Sequence, residues 1–164
     1  VPGRVDGYSA VAGHPGAFTH AAFLDISEAG GAGAMRSTTA DLCQWHAALF
    51  ANRLFDARWV QTMLAPGQLR DGRPSGSNRF SPDDASYGDV QYAMGLLVSR
   101  SPDGHRSALH YGFVNGFAAC LETIVDSGLT MAILCNADMS PALPFRALRR
   151  IVSARLLPGL PAVR

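Results

Sequence analysis

The sequence predicts an α+β fold in which an antiparallel sheet packs against flanking helices. Three observations carry this. Apolar runs between Tyr92 and Asn136 are separated by turn chemistry at Ser101-Pro-Asp-Gly104, Gly112 to Gly116 and Asp126-Ser127-Gly128. Two other segments, 38–50 and 142–157, repeat apolar residues at helical spacing. The strands follow one another with no helix between them, which suggests an antiparallel meander.

The elements follow in order. Residues 1–35 are dominated by Gly and Ala, with a loose turn run at Gly30, Gly31 and Gly33. They read as an irregular leader that lies over something else. Thr38 is a good N-cap, and Asp41 three residues on places a carboxylate at the free N–H groups of the first turn. Leu42, Trp45 and Leu49 then define the apolar stripe of the first helix, and His46 reads as a helix-face residue. A second helix over 56–64 shares Trp59, Val60 and Met63 on one face. Residues 65–90 are polar, with Gly, Pro, Ser and Asp throughout, and read as a long surface excursion or lid. Strands are expected at Tyr92 to Ser99, His105 to Tyr111, Phe117 to Val125 and Leu129 to Asn136. Leu129 to Cys135 is nearly all apolar, as in a covered strand. In the last helix, Phe145, Leu148, Ile151, Val152 and Leu156 form the face that packs on the sheet. Pro158-Gly159 ends it.

The chain has 164 residues, 48 % apolar and 16 % charged, with a formal charge of +1. Disorder is excluded by that apolar content, and no net field steers nucleic acid or an anionic membrane. All fourteen basic residues are arginine. Schiff-base, P-loop and Ser-x-x-Lys chemistry therefore have no lysine in this chain. No apolar stretch is long enough to cross a bilayer, so the expectation is a soluble protein, cytoplasmic or exported. Cys43, Cys120 and Cys135 lack metal-ligand spacing. They read as thiols, with Cys120 opposite Cys135 if Ser127-Gly128 is a two-residue loop. No metal or cofactor is expected.

Two clusters invite a functional reading. Arg146, Arg149 and Arg150 suit an acidic partner or the solvent face of an amphipathic helix. With no interleaved aromatics, the solvent face is favoured and nucleic acid is not expected. His110-Tyr-Gly-Phe-Val-Asn-Gly-Phe117 places an imidazole at a strand end beside two glycines that permit close approach to main-chain N–H groups. A histidine capping a strand next to a glycine turn is the competing reading.

The chain resembles the C-terminal part of the serine beta-lactamase-like family, which includes class C beta-lactamases, penicillin-binding D,D-peptidases, D-aminopeptidases and esterases. Gly7-Tyr8, Gly30 to Trp45, Tyr92-Ala-Met-Gly-Leu96, His110-Tyr-Gly112 with Gly116-Phe117, and Ile133-Leu-Cys-Asn136 carry the resemblance in the family's order. It implies that residues 1–91 are leader, helices and surface loop of a mostly helical region, and that 92–164 are strands plus a helix. His110-Tyr111-Gly112 stands where the family has Lys-Thr-Gly, His-x-Gly or Trp-x-Gly.

The resemblance further implies catalytic roles for His110, which orients or polarises substrate, and for the main-chain N–H of Phe113, one of two oxyanion donors. It implies substrate-binding roles for Tyr111, Gly112 and Asn115. The family's Ser-x-x-Lys and its Tyr-x-Asn or Ser-x-Asn are absent from this sequence. The expectation is therefore a C-terminal fragment of an acyl-enzyme hydrolase acting on ester or amide bonds of a small or peptide-like substrate. Its partner is an N-terminal half, on a second chain or separate segment, that carries the nucleophile, and this chain alone is expected to be inactive. The bulk of Tyr111 favours an esterase or peptidase over an antibiotic-hydrolysing lactamase. The alternative is a non-catalytic binding or scaffold module of the same fold.

Overall fold

The computed structural model describes residues 3, 5–75, 87–102, 104–138 and 145–156, without the side chains of Glu28 and Arg146. Its centre is a five-stranded antiparallel meander. The strands are β3 (Asp89–Tyr92), β4 (Leu97–Arg100), β5 (Arg106–Val114), β6 (Phe117–Ile124) and β7 (Leu129–Cys135), in that spatial order. A separate hairpin, β1 (Tyr8–Ala10) with β2 (Phe18–His20), precedes a 3₁₀ turn at Ser27–Ala32. The helices are α1 (Thr39–Phe50), α2 (Ala57–Leu64) and α3 (Phe145–Leu156). The α+β class and the meander stand as expected.

Several expectations are corrected. The strand expected over 92–99 is two strands. Gly95 takes a positive φ of 70° and Ala93 N–H bonds Leu96 C=O at 2.8 Å, which folds β3 back on β4. Gly112 does not end its strand, and β5 runs on to Val114. The turn after β6 has four residues rather than two, because Ile124 pairs with Leu129. That shifts the register by two, so Cys120 faces Ile133 and Cys135 faces Ala118. All three cysteines are free thiols.

The leader is not wholly irregular. β1 bridges Ala137 beyond the end of β7, with Tyr8 N–H donating to Asn136 C=O (3.0 Å) and Asp138 N–H to Tyr8 C=O (3.0 Å). Ser9 Oγ and Gly116 N–H both donate to Asp138. The two segments cross at Gly7 and Gly116. A Cβ on Gly116, whose φ is +77°, would lie 2.7 Å from the Gly7 backbone, so this docking requires glycine.

Part of the 65–90 excursion is packed. Gly67 N–H donates to Tyr92 C=O (3.0 Å), and Tyr92 N–H donates to Ser75 C=O (3.3 Å). Tyr87 and Val90 are buried. The reading of 76–86 as surface loop or lid lies outside the described residues.

The sheet buries both faces. Thr123 lies under α1 with Ala108 buried on the same face, and Glu122 lies under α3 with Leu109 and Cys120 buried on that face. The stripe expected on α1 holds at Leu49 but not at Trp45, which is half-exposed, and Trp59 on α2 is exposed too. His46 instead takes the buried position. Its Nδ1 is 2.8 Å from Thr123 Oγ1, which in turn lies 2.8 Å from Thr130 Oγ1. On α3, Leu148, Ile151 and Leu156 face outward, and Phe145 and Arg149 face the sheet. Arg149 is therefore not on the solvent face; the buried carboxylate of Glu122 draws it inward.

Candidate active site

Strand β5 outruns one of its neighbours. β4 pairs only with Arg106 to Leu109, whereas β6 follows β5 to the Val114–Phe117 pair. Among the described residues, His110 to Val114 have a strand on one side only. In an antiparallel pair the main-chain groups of successive residues point alternately to the two neighbours. Two hydrogen bonds set the phase. Val125 N–H donates to Arg106 C=O (2.8 Å), and Ser101 N–H donates to His105 C=O (2.9 Å). Even-numbered residues of β5 thus turn their main chain to β6, and odd-numbered ones to the β4 side. Beyond Leu109, Tyr111 and Phe113 direct their N–H and C=O groups to an edge that no described strand covers.

Side chains alternate as well. His110 and Gly112 lie on the α1 face, with His110 exposed. A Cβ on Gly112 would meet only Ala119 Cβ, at 3.9 Å. Packing does not demand glycine there. Its effect is to leave bare main chain beside the open edge. Tyr111 and Phe113 lie on the α3 face. The Tyr111 ring stacks 6.5 Å from Phe113 and 6.0 Å from Phe145, so it is the main chain of Tyr111 that reaches the edge. Phe113 is 46 % exposed. Asn115, in the β5–β6 turn, donates from Nδ2 to Ala22 C=O (3.3 Å) and ties the turn to the leader. The structure thus gathers all five sequence-derived residues at one end of β5, on two different faces.

Beneath the edge lies a polar network that sequence reasoning missed. Glu122 and Arg149 are 2 % and 4 % exposed. Arg149 Nε donates to Oε2 (3.0 Å) and Oε1 (3.2 Å) of Glu122. Ser107 Oγ donates to Oε1 (2.9 Å), and Tyr87 Oη to Oε2 (3.2 Å). The Arg149 guanidinium stacks 3.5 Å over the Tyr87 ring, and Tyr87 Oη lies 3.2 Å from Tyr111 Oη. Burial, with the Glu122 carboxylate adding to it, pushes the Tyr87 phenol far up. Burial likewise pushes Tyr111 up to about 12. Both phenols stay protonated and can donate. Cys120, paired with Tyr111 across the strands, is pushed up to about 12 by burial, which makes it an inert core thiol rather than a nucleophile. The signal available in the sequence was Glu122 itself, a lone carboxylate on the same strand face as Cys120.

The family described as Beta-lactamase matches residues 2–156. The chain belongs to that family. The fold is also shared with a crystal structure of a D-stereospecific amidohydrolase from Streptomyces sp., at 22 % identity and a TM-score of 0.66. That match covers 98 % of this chain and 41 % of the other, so this chain spans less than half of the amidohydrolase. No curated protein matches it. The family membership agrees with the resemblance read from Gly30 to Trp45 and His110 to Phe117. With no lysine among its 164 residues, the chain holds no Ser-x-x-Lys pair. No described helix is long and apolar enough to cross a membrane.

Proposed function

We propose that this chain is the carbonyl-binding part of a serine hydrolase that cleaves ester or amide bonds through an acyl-enzyme. The observation that carries the reading is the edge of β5 where, among the described residues, no strand pairs with the main chain of Tyr111 and Phe113, beside His110 and the bare Gly112. In acyl transfer, negative charge develops on the carbonyl oxygen, and a main-chain N–H held at that oxygen stabilises it without reorganising. The Phe113 N–H is one such donor. The second comes with the nucleophilic serine. The Tyr111 main chain and Gly112 let an extended substrate lie along the edge, His110 orients or polarises it, and Asn115 borders it. The structural relative is a D-stereospecific amidohydrolase, which favours the same chemistry.

The serine and its lysine belong to the remainder of the fold, on a second chain or a separate segment. Among the described strands β7 ends the sheet, and its seven residues Leu129–Cys135 carry no charge. Proteins rarely leave such an edge unpaired, which fits a surface made to receive that remainder.

A serine-directed acylating probe tests the assignment. It labels the polypeptide bearing the missing half and not residues 1–164. Label on this chain overturns the division of roles. Replacing His110 by Ala lowers turnover at least tenfold while the melting temperature stays within a few degrees. An equal loss of folding and activity assigns His110 a structural role instead.

A further inference from the structure

The edge proposed to bind the carbonyl is tied to a buried ion pair by two phenols. Tyr111 Oη meets Tyr87 Oη at 3.2 Å, and Tyr87 Oη donates to Glu122 Oε2 at 3.2 Å. Tyr87's hydrogen on Glu122 leaves its lone pairs for the Tyr111 hydrogen, so the chain runs in one direction, from Tyr111 through Tyr87 to Glu122. Glu122 is held in turn by Arg149 and Ser107. Tyr111 on β5, Tyr87 before β3, Glu122 on β6 and Arg149 on α3 come from four different elements, and Ser107 adds a second anchor on β5.

The placement is specific. Tyr111 is the last residue of β5 before Gly112, where the strand has lost its β4 neighbour. A strand with one neighbour and a glycine is held less firmly than a central one. A main-chain donor stabilises a transition state only when held within about 0.5 Å of its place. Stacking on Phe145 holds the plane of the Tyr111 ring, but stacking alone permits sliding. A hydrogen bond at the far end of the ring fixes the ring along its length, and with it the Cα from which the Phe113 N–H is set.

We propose that Tyr111 and Tyr87 are positioning residues: through Glu122 and Arg149 they fix the Tyr111–Phe113 main chain at the geometry the reacting carbonyl requires. This rests on the hydrolase reading above and goes beyond it by assigning the α3-side network a role in the chemical step. The phenols touch no substrate.

The test uses the protein with its serine-bearing part and an activated ester such as p-nitrophenyl acetate. Tyr111→Phe keeps the ring stacking and removes the hydroxyl. The expected result is a kcat lowered about tenfold with KM within twofold and a melting temperature within about 3 °C. Tyr87→Phe gives a similar loss, and the double variant is no slower than the worse single one, because both break one chain. Unchanged kcat in Tyr111→Phe, or losses that multiply in the double variant, overturns the inference while wild-type turnover keeps the hydrolase reading intact. A wild type that turns over no ester or amide and takes no acyl label overturns both. Should Tyr87→Phe fold poorly, Thr38→Ala serves as the control for destabilisation. It removes the N-cap of α1, the helix on the opposite face of the sheet, without touching Glu122 or the phenol chain, and it leaves kcat within twofold if the inference holds. A tenfold fall there, matching Tyr111→Phe, assigns the effect to general destabilisation and overturns it.

Discussion

The two faces of the sheet bury polar groups in opposite ways. Under α1, His46, Thr123 and Thr130 form a neutral chain. Under α3, Glu122 and Arg149 form an ion pair with Ser107 and Tyr87 completing its hydrogen bonds. A neutral chain stays cheap as long as the imidazole is uncharged. An ion pair gains from mutual attraction what it loses in hydration, and removing one partner leaves a bare charge in the core. The first face is therefore sensitive to pH and the second to deletion of one partner.

The largest expected effect is on the ionic face. Arg149→Met strands the Glu122 carboxylate and costs about 3–5 kcal/mol of stability by denaturant titration. Adding Glu122→Leu to Arg149→Met restores most of that, since an apolar pair of similar volume replaces the ion pair. Single and double variants of equal stability would break the comparison, for they would show the pair to be solvated and weak.

The neutral face comes next. Burial holds the His46 imidazole down to about 4 from its usual 6.5. In the native protein the ring is neutral through most of the acid range, whereas the unfolded chain takes up a proton below about 6.5. Stability is fully present above 6.5 and falls as pH drops toward 4, by about 3 kcal/mol, after which it levels off. Chemical denaturation at pH 7.5 and pH 4 reads this out. His46→Gln removes that part of the slope, and the difference between the two proteins isolates His46 from the carboxylates that titrate nearby. Identical slopes in the two would place the imidazole in contact with water.

The same contrast explains what was legible in the sequence. The meander could be read because alternation and turn residues are local, and so could the α1 cap. The His110 to Phe117 segment stood out for its glycines. Four things were not legible, for one physical reason. Arg149 reads as a solvent-face residue unless Glu122, twenty-seven residues earlier, is known to lie beneath it. His46 reads as a helix-face residue until Thr123 arrives from β6. The three-residue strands of the leader hairpin are too short to show alternation and are held by Asn136 and Asp138. The open edge of β5 was equally hidden, because it depends on β4 beginning only at Leu97, and so on the turn at Gly95 that splits the strand expected over 92–99.

The smallest expected effect lies where water competes. Thr38 Oγ1 accepts from Asp41 N–H at 3.1 Å and donates to Asp41 Oδ2 at 2.9 Å, both exposed. The cap satisfies one of the free donors at the start of α1, the helix that carries His46 onto the sheet. Thr38→Ala is expected to cost about 1 kcal/mol, because water takes over part of the lost bond. It should leave the pH dependence of stability unchanged, since the first turn frays while His46, two turns on, stays packed on Thr123. A Thr38→Ala protein whose acid sensitivity also shifts would mean that the cap sets how deeply α1 seats on the sheet, joining the exposed helix end to the buried neutral chain.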